Sequence, residues 1–176
     1  MILELEQDVT TTPAPAGRLL DPESLGSHVD RLYRAAYGLC GSRQDAEDLV
    51  QDTYEKVLRR PRFLRHDQDL AYLLKVLRNT WISTRRSARA VVVPAGDAID
   101  DIEAPDDPIG QSLSEAAVYE ALRNLSRPLR ETLVAVDVVG LSYREAARAL
   151  GTKEGTVMSR LHRGRQQVAA QLTRDW

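Results

Sequence analysis

The chain has 176 residues, with 24 Lys plus Arg against 26 Asp plus Glu, a net charge of −2 and 43% apolar residues. That is the composition of an ordinary globular protein and excludes wholesale disorder, while a single Cys excludes a disulfide scaffold and a Cys-based zinc site. No apolar run approaches the roughly 18–20 residues of a membrane span, and Met1–Gln7 has neither half of a secretory signal, so a soluble cytoplasmic protein is expected.

The net charge conceals a segmental pattern. Residues 1–27 carry a net −4, residues 28–90 a net +5, residues 91–113 a net −6 and residues 114–176 a net +3. Residues 91–113 hold six acidic side chains, no basic one, and Pro94, Pro105 and Pro108. They read as a linker, because no helical or strand period persists across them. The first 27 residues, with Pro13, Pro15 and Gly17, read as a flexible acidic tail.

Both basic segments have helical periodicity. From His28 to Cys40, Val29, Leu32, Tyr33, Ala36, Tyr37 and Cys40 recur at the spacing of one buried helix face. Gly38 and Gly41 suggest its end. Ser42 with Asp45 marks a capped start for a second helix, which runs to about Arg60 and is stopped by Pro61. Its apolar stripe is Ala46, Leu49, Val50, Thr53, Val57 and Leu58, and Glu47, Asp48, Gln51, Asp52 and Glu55 face away. A third helix, about Gln68 to Arg89, buries Leu70, Leu73, Leu74, Leu77 and Trp81 and ends in Arg78, Arg85, Arg86 and Arg89.

The second basic segment opens with an amphipathic stretch, Leu113–Leu125. Ser126 is placed to cap the next helix, with Pro128 in the first turn, where its missing N–H costs nothing. That helix runs through Leu129, Leu133 and Val136 to Gly140. Ser142 and Glu145 then form a capping box, Gly151 breaks the short helix they start, and Thr152 is placed to cap a helix from about Lys153 to Leu172. Two short helices packed across a glycine turn make a helix-turn-helix, whose second helix enters the DNA major groove. Its buried stripe is Val157, Leu161, Val168 and Leu172. The outward side carries Met158, Ser159, His162, Arg163 and Gln166, with Arg160 and Arg165 beside them. Arg can donate two bonds to guanine, and flanking cations neutralise phosphates.

The run from Gly155 to Arg165 resembles the GTVxSRLxRxR signature of region 4 of the extracytoplasmic-function (group 4) sigma factors of bacterial RNA polymerase. Ala46 to Thr53 is similar to the AEDLVQ core of that family's region 2, and Leu74–Asn79 with Arg85 and Arg86 resembles its next helix. The resemblance covers about residues 28–90 and 114–173. It implies an all-α protein of two small helical domains joined by the acidic flexible linker.

For each part the resemblance implies a role. Glu47, Asp48, Gln51, Asp52 and Glu55 would dock on the β′ clamp helices of core RNA polymerase, with the β flap as a second polymerase contact. Arg62, Phe63, Arg65, His66, Lys75, Arg78, Asn79, Thr80, Arg85 and Arg86 would read and open −10 promoter DNA. Cations and stacking rings suit an unstacked strand, and Phe63 and Trp81 are the stacking candidates, Trp81 being better suited to the core. Lys153, Glu154, Thr156, Met158, Ser159, Arg160, His162, Arg163 and Arg165 would meet the −35 element. The linker would follow the polymerase's RNA path, its carboxylates standing in for RNA. An anti-sigma protein is a further implied partner, one able to hold the chain at the membrane. Two positions depart from the family's pattern: Met158 stands where Lys or Arg is usual, and Ser83 where Asp is usual.

No catalytic pair, phosphate-cradling loop or cofactor motif is found. His28, His66 and His162 lack ligand spacing, so no metal is expected. Cys40 reads as a buried thiol. The expected protein is thus not an enzyme and takes no small-molecule substrate. Two rival readings are a stand-alone helix-turn-helix regulator that uses residues 28–90 to dimerise, and an inactive decoy that titrates an anti-sigma protein. The acidic face at 47–55 argues against the first, and the basic sets at 78–89 and 160–165 argue against the second.

Overall fold

The computed structural model describes residues 18–20, 25–60, 63–64, 68–91 and 113–174. The N-terminal cluster is β1 (Arg18–Leu19), α1 (Val29–Cys40), α2 (Arg43–Arg59), β2 (Phe63–Leu64) and α3 (Asp69–Val91). The C-terminal cluster is α4 (Leu113–Arg123), α5 (Arg127–Leu133, continued by a π-helical turn over Val134–Val138), α6 (Tyr143–Leu150) and α7 (Glu154–Arg174).

In the first cluster the expected helices are present. Gly41 ends α1 in the left-handed region, φ +78°, and its N–H donates to Tyr37 O at 2.8 Å. The Ser42 hydroxyl accepts from Asp45 N at 3.3 Å and so satisfies one of the free donors that begin α2. α2 turns Ala46, Leu49, Val50, Thr53 and Val57 inward, onto Leu73, Leu74, Leu77 and Trp81 of α3. Thr53 is tolerated there because its hydroxyl donates to Leu49 O at 2.7 Å.

Several expectations need correction. Leu58 and Val29 are exposed, because they fall beside the buried stripes rather than on them. Gly38 does not end α1; the helix passes through it. The cluster also begins upstream of residue 28. Arg18–Leu19 pairs antiparallel with Phe63–Leu64, Leu20 and Leu25 are buried, and the Tyr54 hydroxyl donates to Leu25 O at 3.0 Å. A ladder of two residues carries no alternation to be read in a sequence. Residues 1–17, the linker from 92 to 112, and Arg62, Arg65 and His66 lie outside the described residues.

In the second cluster Ser126 occupies the N-cap position of α5, but through its backbone alone. Its side chain makes no capping bond, and its carbonyl accepts from Leu129 and Arg130 N–H, each at 3.0 Å. The π turn releases into Gly140, at φ +83°. α7 packs on α5 at Gly164, where a Cβ would collide with Leu133 Cδ1, so any larger residue would force the buried Leu133 side chain to shift.

One continuous set of buried side chains runs through both clusters. Tyr37 of α1 meets Tyr119 of α4 edge to face, with ring centroids 4.8 Å apart and planes at 88°. Arg130 of α5 is 1% exposed. Its guanidinium donates to Leu122 O, Arg123 O and Leu125 O at 3.1, 2.7 and 3.0 Å, and to Leu39 O of α1 at 3.4 Å. The C-terminal ends of two helices thus converge on one cation, where unpaired carbonyls and helix dipoles both favour positive charge.

Candidate nucleic-acid interface

The helix-turn-helix forms as its sequence requires. Ser142 Oγ accepts from Glu145 N at 3.3 Å, and the Glu145 carboxylate accepts from Ser142 N at 2.8 Å. Gly151 ends α6 at φ +66°, and Thr152 N–H reaches back to Ala147 O at 2.9 Å. α7 then starts at Glu154. Lys153, whose carbonyl accepts from Thr156 and Val157 N–H at 3.0 and 3.1 Å, holds the N-cap position expected for Thr152. Val157 and Leu161 are buried, with Ala146, Ala147, Ala149 and Leu150 of α6 among the buried residues of the same core.

This burial fixes which side of α7 is free. Lys153, Glu154, Met158, Ser159, His162, Arg163 and Arg165 are exposed, and Thr156 and Arg160 are half-buried. Met158, at 55% exposed, is an apolar side chain among polar ones, and with Tyr143, His162 and Gln166 it lines a shallow groove. Two of the charges make ion pairs within the protein, and Arg163 Nε donates to Ser159 O one turn back at 3.4 Å. Glu154 pairs with Arg144 at 3.5 Å, across the turn. Arg165 donates to both oxygens of Asp137, at 3.0 and 2.6 Å, and so ties α7 to the π turn. The Asp137 carboxylate holds the Arg165 pKa above its ordinary value.

On α3, Lys75, Asn79 and Arg86 are exposed. Arg85 lies 5.5 Å from the centroid of the Trp81 ring, a cation–π contact. Trp81 is 4% exposed, so it is a core side chain. Thr80 is also buried. Its hydroxyl donates to Val76 O at 2.9 Å and accepts from Lys56 Nζ at 3.2 Å, which removes it from the surface. Arg78 is turned to the other cluster, and its Nε donates to Glu131 Oε2 of α5 at 2.8 Å. Of Phe63 only the backbone is described, as part of β2. The exposed face of α2 carries Glu47, Asp48, Gln51, Asp52 and Glu55. Glu47 and Glu55 make exposed ion pairs with Arg43 and Arg59 at 3.0 and 3.2 Å, which water and salt screen so that they add little to stability.

The sigma-70 region 2 profile matches residues 25–91, and the sigma-70 region 4 profile matches residues 115–168. The chain belongs to the sigma-70 family, in its ECF branch. It is 36% identical over 151 residues to the ECF RNA polymerase sigma factor SigE of Mycolicibacterium smegmatis, covering 83% of this chain and 59% of that one. The ECF sigma factor SigM of Mycobacterium tuberculosis is 32% identical over 143 residues, 81% of this chain and 71% of its own. Among solved structures, the sigma factor RpoE in complex with the anti-sigma factor NepR from Bartonella quintana matches with a TM-score of 0.68 and 28% identity. That match covers 88% of this chain and 97% of RpoE. CnrH in complex with the cytosolic domain of CnrY matches at 0.62 and 25% identity, over 88% of each chain. The chain spans 59% of the SigE relative's length, so that relative contains sequence with no counterpart here.

In these terms α1–α3 match sigma-70 region 2 and α4–α7 match sigma-70 region 4. Sequence reading missed Glu131, Asp137 and Arg130, each of which acts on a side chain or backbone distant in sequence. Gly38 and Gly164 were the available signals. A glycine inside an amphipathic helix costs about 1 kcal/mol relative to Ala and marks close approach of another chain segment.

Proposed function

We infer that this chain is a promoter-recognition subunit. It binds core RNA polymerase, reads −35 DNA through α7 and opens −10 DNA through region 2, leaving the chemistry to the polymerase. The observation that carries this reading is one chain with two separate surfaces: an exposed acidic face on α2, and a helix-turn-helix with an exposed basic side. A stand-alone DNA binder has no use for the first surface. In this reading Glu47, Asp48, Gln51, Asp52 and Glu55 dock on the β′ clamp helices, and region 4 reaches the β flap. Lys75, Asn79, Arg85 and Arg86, with Arg62, Phe63, Arg65, His66 and a released Arg78, meet the −10 strand. Met158, Ser159, His162 and Arg163 face the −35 bases, with Lys153, Thr156, Arg160 and Arg165 toward phosphates and Glu154 held by Arg144.

RpoE and CnrH were each solved with a bound partner, NepR and CnrY respectively. By analogy an anti-sigma protein completes the partner set of a cytoplasmic chain and is able to hold it at the membrane. Among the described residues no helix is long and apolar enough to cross a membrane.

The test is to mix purified protein with core RNA polymerase and fragmented genomic DNA and to map the transcript starts. Starts that share −35 and −10 sequences are expected. DNA binding without transcription would instead identify a stand-alone regulator, and neither would identify a decoy.

A further inference from the structure

Region 2 packs on region 4 where α1 meets α4 and α5 and where α3 meets α6; four of the contacts between them are specific, and one occupies a side chain read above as facing DNA. Arg78 and Glu131 are 53 residues apart in sequence, yet their ion pair spans 2.8 Å. The side chains are 21% and 5% exposed. Arg127 Nε lies 3.5 Å from the other Glu131 oxygen. A carboxylate so deeply buried is costly unless it is hydrogen-bonded as well as paired; the oxygen beside Arg127 accepts no hydrogen bond, so the closed arrangement leans on the bond from Arg78. The Tyr37–Tyr119 contact and the Arg130 bond to Leu39 O join the same two regions. The fourth contact is at Gly38, where a Cβ would stand 3.0 Å from Val134 Cγ2 and 3.6 Å from Tyr119 Cε1. Glycine inside α1 weakens the helix locally, and its physical return is this close approach.

We propose that Glu131 serves as an internal stand-in for a DNA phosphate. It holds the Arg78 guanidinium inside a clasp between regions 2 and 4, so the free chain withholds Arg78 from −10 DNA until the two regions part. This rests on the reading that Arg78 is one of the cations that meet the −10 strand. A carboxylate and a phosphate oxygen offer Arg the same acceptor geometry, and the Nε donor satisfied by Glu131 is unavailable to a nucleic acid. Opening exposes Glu131 to water and frees Arg78 at once, which couples domain separation to completion of the DNA surface.

The experiment uses the full chain with Cys40→Ala and spin labels at two exposed positions, Gln44→Cys on α2 and Gln167→Cys on α7. A single short distance is expected in this parent. Glu131→Gln should lengthen and broaden it. Gly38→Leu should do the same by wedging Val134 and Tyr119 away, while Arg78 and Glu131 remain intact and α1 gains helix propensity. The charge swap Arg78→Glu with Glu131→Arg should restore the short distance. Far-UV circular dichroism confirms that each variant is folded. Unchanged distances in folded Glu131→Gln and Gly38→Leu overturn the clasp.

Binding to a random-sequence single-stranded DNA pool of roughly 12 nucleotides supplies the second readout. Gly38→Leu should bind at least about fivefold more tightly than the parent, and adding Arg78→Gln should remove that gain. If the regions part without a gain, withholding is overturned. Arg78→Gln in the opened chain then separates the causes: weaker binding keeps Arg78 as a DNA contact, and unchanged binding removes it.

Discussion

Replacing Arg130 by Met should cost this protein about 3 kcal/mol of stability. The Met stem keeps most of the apolar volume but removes four donors. Three of their bonds, at 3.1, 2.7 and 3.0 Å, hold the carbonyls of Leu122, Arg123 and Leu125 at the end of α4, and the fourth reaches Leu39 O of α1. Hydrogen bonds from a charged donor contribute roughly 1.5–3 kcal/mol each. The gross loss is offset because a buried guanidinium no longer has to be desolvated and because some carbonyls regain water. Arg130→Lys should recover only part of the loss, since an ammonium presents its donors from a single point and cannot span two helix ends. Urea titration of the full chain, followed by far-UV circular dichroism, measures both variants at unchanged m. A loss below about 1 kcal/mol for Arg130→Met would refute the reasoning that this cation satisfies converging helix ends.

Glu47→Lys with Asp48→Lys should abolish binding to core RNA polymerase while the thermal unfolding curve stays in place, since both side chains are exposed; retained binding sinks the docking assignment. Asp137→Asn should release Arg165 toward DNA and steepen the salt dependence of duplex binding by about one phosphate contact. An unchanged salt slope would mean that Arg165 serves only to tie α7 to the π turn. In a duplex site selected by this protein, replacing a thymine read by Met158 with uracil should weaken binding about three- to fourfold, the contribution of one buried methyl. Tolerance of uracil at every thymine under α7 would exclude Met158 as a base reader. Burial, reinforced by Asp45, pushes the Cys40 thiol up to about 12, and burial pushes Tyr54 and Tyr119 to about 12 as well. The folded chain therefore holds protons that the unfolded chain loses from about pH 8.5–10. Stability should fall as pH rises from about 9 to 12, less steeply in Tyr119→Phe, and a flat profile would contradict the burial argument.

A feature is legible in the sequence where its signal is local. The capping box at Ser142 and Glu145, the left-handed stop at Gly151 and the stripes on α2 and α3 arise from neighbours three or four residues apart. They placed the helix-turn-helix, the acidic face of α2 and the basic side of α7 in the sequence itself. The charge segments did likewise, since the net −2 is what remains when basic helices and acidic connecting segments cancel.

Tertiary structure decided what those surfaces are free to do. Thr80 and Trp81 belong to a run of DNA-facing candidates but are buried, because inward direction on α3 is set by α2 and its neighbours. Leu58 looks apolar enough for the core and is exposed for the same reason. Arg78 and Arg165 are cations in the sequence like any others, and only the folded chain brings Glu131 and Asp137 to them. The sequence determined the helices and the charge of each face, because both follow from local spacing, but not the two-residue ladder or the π turn. Which charges remain available depends on partners 28 and 53 residues away, which only close packing of the two regions brings together.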